Sequence, residues 1–227
     1  MSNRVETLSN GTQVYCSANH RFGTDALLLA RFCPPRRDWK AVDLCSGCGI
    51  VALEWYDAGH RGSCTAVELS PEGSAQLAAA LAAQGITSIH PHCGDLRAFP
   101  PMPELQGQVQ LIACNPPYFE LQTGAQSALP AHAIARHENE CKLTDVCACA
   151  ARLLKDGGRF ALCHRPSRMA EVFAVLKQYR LEPKRLVFVK NKADGAPWLF
   201  LVEAQKNRKV GLVIEPDILI SAGMALY

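Results

Sequence analysis

The chain has 227 residues, 48% of them hydrophobic and 20% charged, with a formal net charge of +3. No run approaches the ~18 consecutive apolar residues that would span a bilayer, and the polar start Met1-Ser2-Asn3-Arg4-Val5-Glu6 lacks a signal-peptide core. These features exclude a membrane partner and lead to one globular domain over 1–227, cytoplasmic, with an anionic partner permitted but not demanded by the charge.

Two short strand-like runs flank Ser9-Asn10-Gly11-Thr12 between Val5 and Cys16, and Asn-Gly predicts an N-terminal hairpin because both residues tolerate positive φ. Thr24 occupies a predicted N-cap and Asp25 suits the first turn of a helix running to Phe32, before Pro34-Pro35. Strand and helix then alternate. Strands are predicted at Ala41–Cys45, Cys64–Leu69, Ser88–Cys93, Val109–Cys114 and Arg159–His164. Helices are predicted at Ile50–Ala58, Pro71–Gln84, Leu143–Leu154 and Arg168–Tyr179. This order implies right-handed βαβ units, hence a Rossmann-like, mostly parallel α/β sheet covered on both faces. Arg185–Lys190 and Trp198–Ala204 break the pattern, since 191–197 is too short for a crossover helix and the two strands must pair antiparallel. The long stretch between Pro116 and Cys141, with Gly124 and Pro130, has no apolar periodicity, and Phe119 to Cys141 is expected to act as a lid over the acceptor.

Three constellations carry chemistry. In Val42-Asp43-Leu44-Cys45-Ser46-Gly47-Cys48-Gly49-Ile50 a strand empties through glycines into a helix, so a ligand can approach the backbone and the helix N–H groups. Gly47-x-Gly49-x-x-Ala52, with Glu68 positioned to hold ribose hydroxyls, also satisfies a dinucleotide fingerprint, which keeps a nicotinamide or flavin site in play. Asp43 argues otherwise, because its carboxylate would repel a pyrophosphate but suits the ammonium and sulfonium of S-adenosylmethionine. Next, Asp95 after the third strand can accept from an adenine amine while Leu69 and Leu96 sandwich the ring, although a turn-capping Asp fits the same pattern.

The third is Asn115-Pro116-Pro117-Tyr118, directly after the apolar strand that ends at Cys114. An exocyclic amine is a poor nucleophile because its lone pair is delocalised. A catalyst must hold both N–H bonds and leave the lone pair aimed at the methyl. The Asn115 side-chain oxygen and the Pro116 carbonyl can accept those hydrogens, Pro117 stiffens the presentation, and Tyr118 offers a stacking face.

In order, the glycine-rich first motif, the acidic second-strand end and Asn115 to Tyr118 resemble class I methyltransferases. The chain is more narrowly similar to the valine tRNA adenine-N6 methyltransferases. That resemblance runs over nearly the whole chain, through His20 to Ala30, Asn115 to Tyr118, Ala135-Arg136-His137-Glu138 and Leu201 to Ala204. It implies a seven-stranded sheet whose last strand is antiparallel, S-adenosylmethionine as cofactor, tRNA as substrate, and Phe22, Gly23 and Thr24 closing over the methionine end of the cofactor. In this arrangement 1–40 forms the hairpin and closing helix and 41–227 the catalytic sheet. Cys45 and Cys48 depart from the small or hydroxyl residues common in the first motif.

The cofactor set is therefore Phe22, Gly23, Thr24, Asp43, Cys45, Gly47, Gly49, Glu68, Leu69, Asp95, Leu96 and Asn115. No metal is expected, since Cys45-x-x-Cys48 has no second pair, and the odd count of eleven cysteines suits buried thiols rather than a disulfide framework. Nine positive and three negative residues lie between Lys177 and Lys209, either a solvated face or an RNA track. The RNA candidates are Arg136, His137, Lys184, Arg185, Lys190 and Lys192. Rival acceptors, the glutamine amide of a protein or a base amine of rRNA, pose the same chemical problem, but the glutamine enzymes carry a helical docking domain for which the residues before Ala41 are too few. A binding-only protein leaves Asn115 to Tyr118 without a role.

Overall fold

Why the middle of the chain forms a sheet buried on both faces is plain from its strands: Ala41–Leu44 (β3), Cys64–Glu68 (β4) and Val109–Cys114 (β6) are mainly apolar and almost wholly buried. The computed structural model describes residues 4–17, 22–98, 104–116 and 141–220. Before β3 come a hairpin of Arg4–Thr7 (β1) and Gln13–Cys16 (β2), and helix α1, Thr24–Phe32. Ile50–Asp57 (α2), Pro71–Gln84 (α3) and Ile89–Cys93 (β5) alternate with the central strands. Leu143–Leu153 (α4), Leu154–His164 (β7), Met169–Gln178 (α5), Leu181–Lys190 (β8) and Leu199–Lys206 (β9) follow.

Seven long strands lie in the order β5-β4-β3-β6-β7-β9-β8, with β9 antiparallel to both neighbours, as the resemblance implies. Two short strands, Val213–Ile214 (β10) and Ile218–Leu219 (β11), pair parallel to β8 and were not expected from the sequence. At two residues each they carry no measurable periodicity. One core lies between the sheet and α1, α2, α3 and the hairpin, around Leu27, Leu53, Trp55 and Leu77. The other lies beneath α4 and α5, around Leu153, Phe160, Leu176 and Phe200.

Several boundaries differ from expectation for local reasons. The N-cap of α1 is Gly23 rather than Thr24, and no side chain caps it. β3 ends at Leu44, because Cys45 turns into the left-handed region at φ 57. β7 begins at Leu154, ahead of the predicted Arg159, because Lys155 to Gly158 bulge out between the pairs Val109 with Leu154 and Leu111 with Arg159. β8 extends back to Leu181 past Pro183, which the sheet accommodates by a register shift between Pro183 and Arg185.

Candidate active site

The glycine loop between β3 and α2 is folded by its own backbone. Ser46 N–H donates to Val67 O at 3.0 Å, and Gly49 N–H donates to Ser46 O at 2.7 Å. Gly47 (φ 56) and Gly49 (φ 80) are both left-handed, for different ends. A methyl on Gly47 would meet nothing within 4 Å, so that side of the loop is open to a ligand. A methyl on Gly49 would stand 2.7 Å from Leu77 Cδ2. α3 thus supports the loop from beneath, and Gly73 at its start comes close enough that a Cβ would lie 2.8 Å from Gly47 O.

Two carboxylates flank the loop. Asp43, on β3, is 1% exposed; its Oδ2 accepts from Ala52 N–H at 3.3 Å, and burial, with Glu68 adding to it, pushes the carboxyl up to about 8. Glu68, at the end of β4, accepts from Gly47 N–H at 2.7 Å and from Ser70 N–H at 2.8 Å, one on each oxygen. Each oxygen keeps a lone pair that can accept from a sugar hydroxyl. Next to it Leu69 holds an apolar side chain 44% exposed, a surface on which a flat ring can lie. After β5, Leu96 is buried in the second core, and Asp95 makes a bidentate pair with Arg97 that holds its carboxyl below the usual range.

Asn115 follows β6 and lies abreast of Cys163 on β7, whose thiol donates to Asn115 Oδ1 at 3.0 Å. Pro116 beside it is buried. Pro117, Tyr118, Arg136 and His137, with the expected lid, lie outside the described residues. At the other side of the glycine loop Cys48 and Cys16 share a hydrogen bond, and Cys16 also bonds the backbone of Phe22, which ties the hairpin and the start of α1 to the loop. Phe22 packs partly into the first core; Gly23 and Thr24 are exposed. All eleven cysteines are free thiols. Among the described residues no group of His, Cys, Asp and Glu is arranged to hold a metal ion, and no helix is long and apolar enough to cross a membrane.

The RNA candidates separate. Lys184 donates to Lys209 O, and Arg185 is held by Glu203, itself 1% exposed, by Glu215 and by Phe32 O. Lys190 pairs with Asp217 at 2.7 Å, while Lys192 is exposed in the β8–β9 turn. Sequence reasoning passed over Ser46, whose buried hydroxyl has no partner among the described residues, and Cys163, which only strand register brings to Asn115.

No protein-family model matches the chain. It is 36% identical over 133 residues to the release factor glutamine methyltransferase of Mycolicibacterium smegmatis, a match covering 56% of this chain and 46% of that protein. To the tRNA1(Val) (adenine(37)-N6)-methyltransferase of Aeromonas salmonicida it is 30% identical over 178 residues, covering 76% of this chain and 71% of that protein. The chain belongs to that tRNA1(Val) adenine(37)-N6-methyltransferase family. The methyltransferase fold is borne out independently by a crystal structure described as a predicted O-methyltransferase from Agrobacterium tumefaciens. It superposes with a TM-score of 0.69 at 19% identity, covering 88% of this chain and 89% of that one. In this methyltransferase, the glycine loop, Glu68 and Asn115 all stand at the carboxyl ends of parallel strands, where ligands bind in open α/β sheets.

Proposed function

We propose that this methyltransferase transfers the methyl group of S-adenosylmethionine to N6 of the adenine next to the anticodon of valine tRNA. The observation that carries the reading is the match over 71% of a relative of that name, joined to Asn115-Pro116 beside an open glycine loop. The residues present fit the cofactor: the orphaned Ser46 hydroxyl and the open face of Gly47 leave a cradle, Glu68 can accept from ribose hydroxyls, and Leu69 can support the adenine. Asp43 supplies a carboxylate for the cationic methionine end, with Phe22, Gly23 and Thr24 closing over it.

When bound, S-adenosylmethionine supplies an electrophilic methyl on a sulfonium. Asn115 Oδ1 and the Pro116 carbonyl accept the two hydrogens of the acceptor amine, while Tyr118 stacks on its ring. So held, the amine would turn its nitrogen lone pair towards the methyl that the cofactor would supply, with Asn115 and Pro116 fixing that orientation and water taking the proton released after transfer. No general base is required, because the nitrogen becomes acidic only after the bond has formed.

The partner in this reading is tRNA. The compartment is the cytoplasm, which suits eleven free thiols, and 1–227 acts as one methyltransferase domain. A second reading, methylation of a protein glutamine amide, rests on the 36% match to the release factor enzyme. Radiolabelled S-adenosylmethionine offered with valine tRNA or with a release factor separates them. Label in N6-methyladenosine is expected; label only in the protein would replace the first reading by the second.

A further inference from the structure

We infer that the carboxyl edge of the outer strands, built on Arg165 and Trp198 with Lys192 in the adjoining turn, holds the RNA nucleotides that flank the acceptor adenine. This rests on the tRNA reading above and locates where the chain grips that substrate.

Strand register places the pieces. Cys114 pairs with Leu162, so Asn115 stands level with Cys163, and Arg165 follows two residues on, just past the end of β7 in extended backbone, about 7 Å beyond. Because β9 runs antiparallel, its beginning reaches the same edge: His164 pairs with Phe200, and Trp198 precedes Phe200 by two residues. Arg165 Nη1 donates to Trp198 O at 3.3 Å, and its guanidinium lies 5.8 Å from the indole centroid. Trp198 N–H donates to Val189 O and closes the turn in which Lys192 is exposed. A half-buried indole that carries a flat, exposed cation is a surface on which a base can stack while the same cation meets a phosphate. Among the described residues, Glu171 pairs with Arg168 and Asp217 with Lys190, and Asp194 in the turn stands as an opposing charge.

Three other cations of the basic stretch lie away from this edge or are held in ion pairs. Lys184 lies about 20 Å from Lys190 along β8, towards the opposite edge, and donates to Lys209 O. Lys206 Nζ donates to Leu154 O at 2.8 Å, and Arg185 is enclosed by Glu203 and Glu215. The cations abreast of the acceptor site therefore include one, Arg165, that lies outside the stretch which charge counting singles out.

The test compares wild type with the double variant Arg165→Ala/Lys192→Ala, with Trp198→Leu, which keeps an apolar side chain but removes the indole, and with the control Lys184→Gln/Lys209→Gln. Initial rates on a folded valine tRNA transcript are measured over a salt series, and S-adenosylmethionine affinity by calorimetry. The double variant should raise KM at least tenfold and reduce the slope of log affinity against log salt by about 2, with kcat within about twofold and cofactor affinity unchanged. Trp198→Leu should raise KM by severalfold with the slope intact, and the control should match wild type. A double variant with wild-type KM and slope, or a control that loses both, overturns the inference. A wild type that binds S-adenosylmethionine but transfers no methyl to tRNA overturns the functional reading itself, and so is distinguishable from a failure confined to this edge.

Discussion

Replacing Asp43 by Asn should stabilise the ligand-free protein while weakening cofactor binding, and the size of the first effect follows from burial. The Asp43 carboxyl moves from 3.8 to about 8 in the fold. A folded pKa above the unfolded one means that the stabilising contribution is complete below pH 3.8 and is lost as pH rises towards 8, by about 1.4 kcal/mol per pH unit. At pH 7 the loss reaches about 4 kcal/mol. Asn keeps the acceptor for Ala52 N–H but buries an amide NH2, which costs about 2 kcal/mol if it finds no partner. The net gain at pH 7 is then about 2 kcal/mol, or about 4 to 8 °C in Tm for a chain of this length. A cationic ligand favours the ionised form, so below pH 8 wild-type binding should release a proton, and its measured enthalpy should depend on the buffer. The Asn variant should lose that dependence and at least tenfold in affinity. Scanning calorimetry from pH 6.5 to 9 checks the stability, and titration calorimetry in two buffers checks the proton. Parallel Tm profiles, or unchanged buffer dependence, would refute the reasoning.

Asn115→Ala should lower kcat by at least about 100-fold with S-adenosylmethionine affinity within about tenfold, because the amide acts on the acceptor amine; single-turnover rates check this. Gly49→Ala should cost about 2 kcal/mol or more in denaturant unfolding, since φ 80 and the Leu77 methyls both oppose a Cβ, whereas Gly47→Ala should cost less in stability and more in cofactor affinity. Arg185→Ala should lower stability by about 2 kcal/mol by leaving Glu203 buried beside Arg159 alone, with no change in the salt dependence of tRNA use. His164, which burial lowers to about 4, contributes stability that is present above pH 6.5 and lost as pH falls towards 4; His164→Phe should flatten that acid limb in a Tm series.

The central sheet was legible because its strands are buried on both faces and read as apolar runs, and because glycines and prolines marked where helices start and stop. Asn115 was legible for the same reason, standing at the end of the most apolar strand. The partners that set the site's geometry were not. Cys163 comes level with Asn115, and Arg165 follows two residues past it, through a parallel register whose two strands are separated by tens of residues of chain, and no local pattern encodes that pairing. Charge counting over Lys177 to Lys209 treated as one face a stretch that a strand pair divides between two edges of the sheet. Alternation along β8 could not reveal that Arg185 closes an internal ion network, since a half-buried Arg and a solvated one look alike in sequence.

The contact between Gly49 and Leu77 makes two distant positions share one space. Leu77→Ala alone would open a void under the glycine loop, and Gly49→Ala alone would overfill it, but together a methyl on the loop takes part of the space that the end of the Leu77 side chain gives up. What survives the exchange is the backbone demand at φ 80, so the pair should recover only part of the loss. Drift in the relatives of this enzyme should therefore be coupled here. A lineage that trims residue 77 gains tolerance at residue 49, and one that keeps a branched side chain on the helix is held to glycine in the loop.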